Sequence, residues 1–115
     1  IKQTATKTSD VAQAAAKLAS NVDAIFINND NTALGALQSV IRAANAVKVP
    51  VYVSDTDAVE LGAFAALGPN QYELGLQTGQ LIARLLEGED IGRIPIEFPN
   101  KMELYINRES AKALE

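Results

Sequence analysis

The sequence predicts an α/β fold: three layers, with a mostly parallel sheet and helices on both faces. Three observations carry this. Short apolar runs alternate with helical patterns along the whole chain. One run, "AIFIN" (24–28), is apolar on both sides, as strands covered on two faces are. The joining loops are short, and right-handed crossovers between parallel strands distribute helices over both faces. With 115 residues, 48% of them hydrophobic, the chain supports one core and therefore one domain, residues 1–115.

Taken in order, "IKQTAT" (1–6) reads as a short strand of partly alternating polarity. Residues 8–21 read as a helix with Val11, Ala15 and Leu18 on one face and Thr8 or Ser9 as its cap. "AIFIN" follows as a buried, central strand. Residues 31–48 read as one helix with Leu34, Leu37, Ile41 and Ala44 on its stripe. "VPVYVSD" (49–55) is a strand with Pro50 at its start, where a missing N–H does least harm. "TDAVELG" (56–62) is a short helix closed by Gly62, and "GAFAALG" (62–68) a small-residue strand ended by the turn signal "GPN". The stretch 71–90 reads as carrying a long helix with Leu74, Thr78, Leu81 and Leu85 on one stripe, Gly88 lying past the helix end. "IGRIPIEFPN" is extended, "KMELYIN" (101–107) is the last strand, and "RESAKALE" is a closing helix capped by Asn107.

Composition narrows the chemistry. Cysteine and histidine are both absent, which excludes thiol chemistry, disulfides, His bases and His- or Cys-ligated metals. Ten basic against fourteen acidic residues, without a basic cluster, argue against nucleic acid as a partner. No apolar run approaches the roughly 20 residues of a membrane span. There is no phosphate loop, no GxGxxG after a strand and no GxSxG elbow. The expectation is a binding protein, not an enzyme, without cofactor or metal.

Ligands of open parallel sheets bind beyond the carboxyl ends of the strands. This sequence places Asn29, Asp30, Asn31 and Thr32 after one strand, Asp55 and Thr56 after the next, and Asn70, Gln71 and Tyr72 after a third. Each also has a plainer reading. Asp30 or Asn31 and Asp55 suit helix caps, and Asn70 suits a turn. Amides, hydroxyls and one or two carboxylates at a common edge suit a small polar molecule that is held and not transformed. A receiver domain with Asp55 as phospho-acceptor lacks the lysine after the last strand and the acidic pair after the first that it requires.

"DAIFINNDNTALGAL", "VPVYVSDTDAVELGAFAAL" and "YELGLQTGQLIARLLEGE", in that order, resemble the C-terminal part of ABC-transporter substrate-binding proteins of the family that includes tryptophan-binding members. The resemblance extends over essentially the whole chain and implies one lobe of a type I periplasmic-binding-protein fold. It implies capture of a small polar ligand, amino acids among the candidates, between two lobes. It further implies a membrane permease as partner and an extracytoplasmic location. Carried over by position, it marks Asp30, Asn31 and Thr32 as ligand contacts, with Asn29 at the same rim, Asp55 after the next strand, and Asn70 and Tyr72 near a hinge. Asn70 stands where relatives tend to carry Asp, Gln71 where they carry Tyr, and "NND" where "PTD" is usual. The alternative is the effector-binding lobe of a LacI-like regulator. Residues 71–115 are expected to cross to a partner lobe or swap into a second copy, because a helix with an apolar stripe needs cover, and a dimer is the expected outcome.

Overall fold

The computed structural model describes all 115 residues. Its order is α1 (Thr8–Ala19), β1 (Ile25–Ile27), α2 (Asn31–Leu34), α3 (Leu37–Asn45), β2 (Val51–Val53), a 3-10 turn (Thr56–Val59), β3 (Ala65–Pro69), α4 (Gln71–Leu86), a second 3-10 turn (Ile91–Arg93), β4 (Met102–Ile106) and α5 (Arg108–Leu114). The four strands lie in chain order, with β1, β2 and β3 parallel and β4 antiparallel to β3. The mostly parallel α/β sheet is as expected.

The core lies on one face of that sheet. Ile25, Ile27, Val51, Val53 and Ala66 point inward against Val11, Ala15 and Ala19 of α1 and Leu37, Val40, Ile41 and Ala44 of α3. The alanines let α1 and α3 lie close, and each fully buried Val or Leu contributes about 1.5–3 kcal/mol. Gly62 and Gly88 both adopt positive φ, 110° and 96°, as residues closing a helical turn do.

Several expectations are corrected. Residues 1–6 form no strand. α1 starts after Lys7 without a side-chain cap, so Thr8 and Ser9 belong to its first turn. The helix expected over 31–48 is two helices, broken at Gly35–Ala36. β1 is an edge strand, not a central one, and Phe26 is 67% exposed. Phe26, Tyr52, Leu67 and Leu104 all stand on the outer face. This chain thus supplies a helical layer on one face of the sheet, and the second layer of the expected three is not among its own elements.

α4 does not fold back on the sheet. None of its sixteen residues is buried. Residues 91–100 return alongside it. Gln77 Nε2 donates to Glu97 Oε2 (3.1 Å) and the Phe98 carbonyl (2.9 Å), and Arg84 bridges Glu89 (2.7 Å) and Glu97 (3.1 Å). Residues 70–101 therefore form an arm projecting from the sheet, which gives the molecule its 55 × 31 × 20 Å extents. Leu76, Ile82 and Leu86 on it remain exposed. No helix is long and apolar enough to cross a membrane.

Candidate functional site: a polar rim at the strand ends

Because β1, β2 and β3 run parallel, their carboxyl ends share one edge, and the loops bearing the predicted residues leave from it together. Ser54 ties the first two. Its Oγ lies 2.9 Å from Asn29 Oδ1 and 3.3 Å from Asn28 Oδ1. The second and third ends touch through backbone: a Cβ on Gly68 would meet the Ser54 carbonyl oxygen at 2.1 Å, so only glycine permits that approach.

The helix-start reading of these residues is also realised. Asp30 Oδ1 accepts from the Ala33 amide (2.8 Å), Asp55 Oδ1 from Asp57 (3.1 Å) and Asn70 Oδ1 from Glu73 (3.0 Å). Capping occupies one of the two oxygens of Asp30 and Asp55 and the single oxygen of Asn70, and fixes where the rest of each group points. Asn29 and Asn31 are exposed, Thr32 is half-buried, and Tyr72 stands 74% exposed on the first turn of α4. Asn29, Asp30, Asn31, Thr32, Asp55 and Asn70 thus stand along one margin, with Tyr72 just beyond it on the arm.

The sequence reading missed Ser54 and a cluster built from β4. Pairing of Gly68 with Glu103 brings that carboxylate beside Asn70. Glu103 Oε1 receives Lys101 Nζ at 2.6 Å, while Oε2 accepts from Asn70 Nδ2 (2.9 Å) and Tyr105 Oη (3.0 Å). These donors, Lys101 foremost, then Asn70 and Tyr105, hold the Glu103 carboxyl down at about 2. Glu103 in turn raises Lys101 and Tyr105 above their ordinary values. The long-range register of β3 on β4 is what brings Asn70 into this cluster. The single sequence signal was a Lys-x-Glu-x-Tyr alternation that puts all three side chains on one face of a strand.

No group of three or more acidic side chains is placed to hold a metal ion. A cavity of about 330 Å³ opens between residues 2–5, α1 and the outer edge of β1. Its lining is mainly apolar, and it reaches the rim only at Asn28, Asp30 and Thr32. It is a gap beside an unpaired strand that adjoins the polar margin at one end. What the rim offers is donors, acceptors and negative charge, with Lys101 neutralised by Glu103. It offers no nucleophile paired with a base.

Residues 1–115 match the family described as "ABC transporter substrate binding protein". The chain belongs to that family. Its description is that of a substrate-binding, non-catalytic family. The chain is 33% identical over 107 residues to a tyrosine-binding protein of Clostridioides difficile, a match that covers 93% of this chain and 31% of that protein. A conserved domain protein of Vibrio cholerae superposes with a TM-score of 0.91 at 37% identity, over 99% of this chain and 38% of that one. The structure of an ABC domain from Streptococcus pneumoniae in complex with L-Trp gives 0.87 at 30% identity, over 96% and 37%. The chain spans about a third of the length of these relatives.

Proposed function

We propose that these 115 residues form the cleft-facing part of one lobe of an extracytoplasmic solute-binding protein that delivers an amino acid, most simply an aromatic one, to an ABC permease. The convergence of three parallel strand ends on one polar margin carries this reading, and family membership supports it. Asn29, Asp30, Asn31, Thr32 and Asp55 supply the hydrogen-bonding edge, Asn70 its far end, and Tyr72 a flat apolar face.

Charge orients the ligand. Asp30 and Asp55 each keep one carboxylate oxygen beyond the cap, and Lys101 is the basic residue of the Asn70 end, already paired. Such a margin attracts an ammonium group and repels a carboxylate. The amino acid's carboxylate is therefore held by a companion lobe. An exposed ring such as Tyr72 suits stacking against an aromatic side chain. The relatives that bind tyrosine and L-Trp agree with that choice. The uncovered apolar side of α4 packs on the same companion lobe. In the chain by itself that surface pairs two copies, which light scattering would report as a dimer; a strict monomer would remove this part of the proposal.

The test is calorimetric titration of a two-lobe protein in which residues 1–115 are joined to the first lobe of a relative. L-Trp, L-Tyr and L-Phe should bind, and Asp55→Asn should weaken them about tenfold, as expected for one charge-assisted hydrogen bond. The corresponding acids without the amino group should lose most of their affinity. Binding of sugars in place of amino acids, or no response in the folded two-lobe protein, would defeat the proposal.

A further inference from the structure

The arm of residues 70–101 joins the sheet through two neighbouring chain crossings, out after Pro69 and back before Met102, which face each other in the β3–β4 ladder. Two adjacent crossings fix a position well and an angle poorly, since the pair can bend together. The rest of the body gives the arm little support: α4 has no buried residue and is not among the elements that pack extensively on one another. The angle must come from side chains at the crossings.

Every side-chain hydrogen bond or ion pair from arm to body ends on one residue. Asn70 Nδ2 reaches Glu103 Oε2 from the outgoing crossing, and Lys101 Nζ reaches Glu103 Oε1 from the returning one. Gln77, Arg84 and Asn100 make their bonds within the arm. Glu103 itself is anchored to the body twice, by its place in β4 opposite Gly68 and by Tyr105 Oη on Oε2. Asn70 cannot turn away without loss, because its Oδ1 caps α4 at the Glu73 amide. The bond from its Nδ2 therefore transmits directly to the helix start.

We propose that Glu103 is a positioning residue that sets the angle of the arm against the sheet, clamping both crossings with the two oxygens of one carboxylate. Asn70 and Tyr72 ride on the arm, so this angle decides where they stand on the rim whatever the rim binds. Charge-assisted bonds are the stronger class, and this carboxylate is only 19% exposed. Releasing it loosens the angle between the arm and its own sheet, whether or not α4 is paired with a second copy.

The chain has no cysteine, so Gln13→Cys on α1 and Gln80→Cys on α4, both exposed positions, accept spin labels cleanly. Pulsed electron resonance on labelled chains diluted with unlabelled protein then reads the arm-to-body distance. The otherwise native chain should give one narrow distribution, and Glu103→Ala one about twofold wider with unchanged far-ultraviolet circular dichroism. Glu103→Gln keeps an acceptor for Asn70 and loses the Lys101 pair, so it should fall between them. Glu109→Ala, which removes the exposed pair with Lys112, should change nothing. Equal widths in folded Glu103→Ala and the native chain would overturn the proposal, as would equal widening by Glu109→Ala. Should Glu103→Ala unfold, the pair Lys101→Met with Tyr105→Phe decides by the same reading, because it strips the carboxylate of two partners while keeping its charge.

Discussion

Gly68→Ala tests how tightly the second and third strand ends are joined. The added Cβ would sit 2.1 Å from the Ser54 carbonyl oxygen and 3.2 Å from its carbon. Close carbon–oxygen contacts in sheets lie at about 3.3–3.6 Å, so the site is short by about 1.2 Å. The obstacle is backbone, which cannot rotate aside as a long side chain does. Relief requires β2 and β3 to part at the rim, where their pairing is only Tyr52 with Ala65 and Val53 with Ala66. Overpacking of this kind costs about 1–3 kcal/mol, and a backbone obstacle argues for the upper half of that range.

The consequence is measurable. At about 2.1 cal/mol/K per residue, 115 residues unfold with an entropy near 0.24 kcal/mol/K. A loss of about 2–3 kcal/mol then lowers the thermal midpoint by about 8–12 °C. Urea unfolding followed by circular dichroism should show the midpoint fall with its slope unchanged, because the surface exposed on unfolding is the same. The Asn28 and Asn29 side-chain amide signals should also move, since Ser54 contacts both. A stability change below about 0.5 kcal/mol, the ordinary range for a harmless surface substitution, would refute the close joining of these two strand ends.

Gly75→Ala and Gly79→Ala should act in the opposite direction: a Cβ at either position meets nothing within 4 Å, so each should stabilise α4 by about 0.8–1 kcal/mol, read from helical signal and thermal midpoint. Asn107→Ala removes a cap that serves the Glu109 and Ser110 amides and a donor to the Val59 carbonyl, and should cost about 2 kcal/mol in urea unfolding. Asn107→Asp, which keeps the acceptor alone, should fall between that variant and the native chain. For Glu103 the sign follows from its depressed value: the folded carboxyl titrates at about 2 against an ordinary 4.5, so its contribution is complete above about pH 4.5 and fades as pH falls toward 2. The stability gap between the native chain and Glu103→Gln should therefore be flat at neutral pH and close across that acidic window; a gap independent of pH down to 2 would contradict the cluster.

What the sequence revealed was what local chemistry decides. Asn107 before a polar helix, Gly88 after one and the Asn-rich stop after "AIFIN" each act within a few residues, and each stands where the pattern put it. The errors occur where the deciding partner is distant. "AIFIN" has the composition of a strand covered twice, yet whether a helix lies on Phe26 depends on elements outside the run itself. Nothing in residues 31–48 other than Gly35 marks a broken helix, and an isolated glycine is compatible with a continuous one. Its Cβ would lie 3.0 Å from the Asn31 carbonyl oxygen, so the tightened turn after α2 is a place that disfavours a larger residue.

The rim shows the same division more sharply. Asp30, Asp55 and Asn70 were visible because their residue types follow strands, and the structure has them capping helices and standing on one edge at once. These are not competing explanations. In Asp30 and Asp55 the cap spends one oxygen and leaves the second unpaired. In Asn70 it spends the only oxygen and aims the NH2 group at Glu103. A helix start at a strand end thus holds a polar group rigidly at the edge. Glu103 was invisible for the converse reason. Its neighbours in sequence make it one more charged residue of an exposed strand, and only the antiparallel register of residues 102–106 on 65–69 carries it to Asn70. A site assembled from both kinds of residue needs its locally fixed groups to be held at the right angle by the distant ones. That angle is what the arm-to-body distance measures.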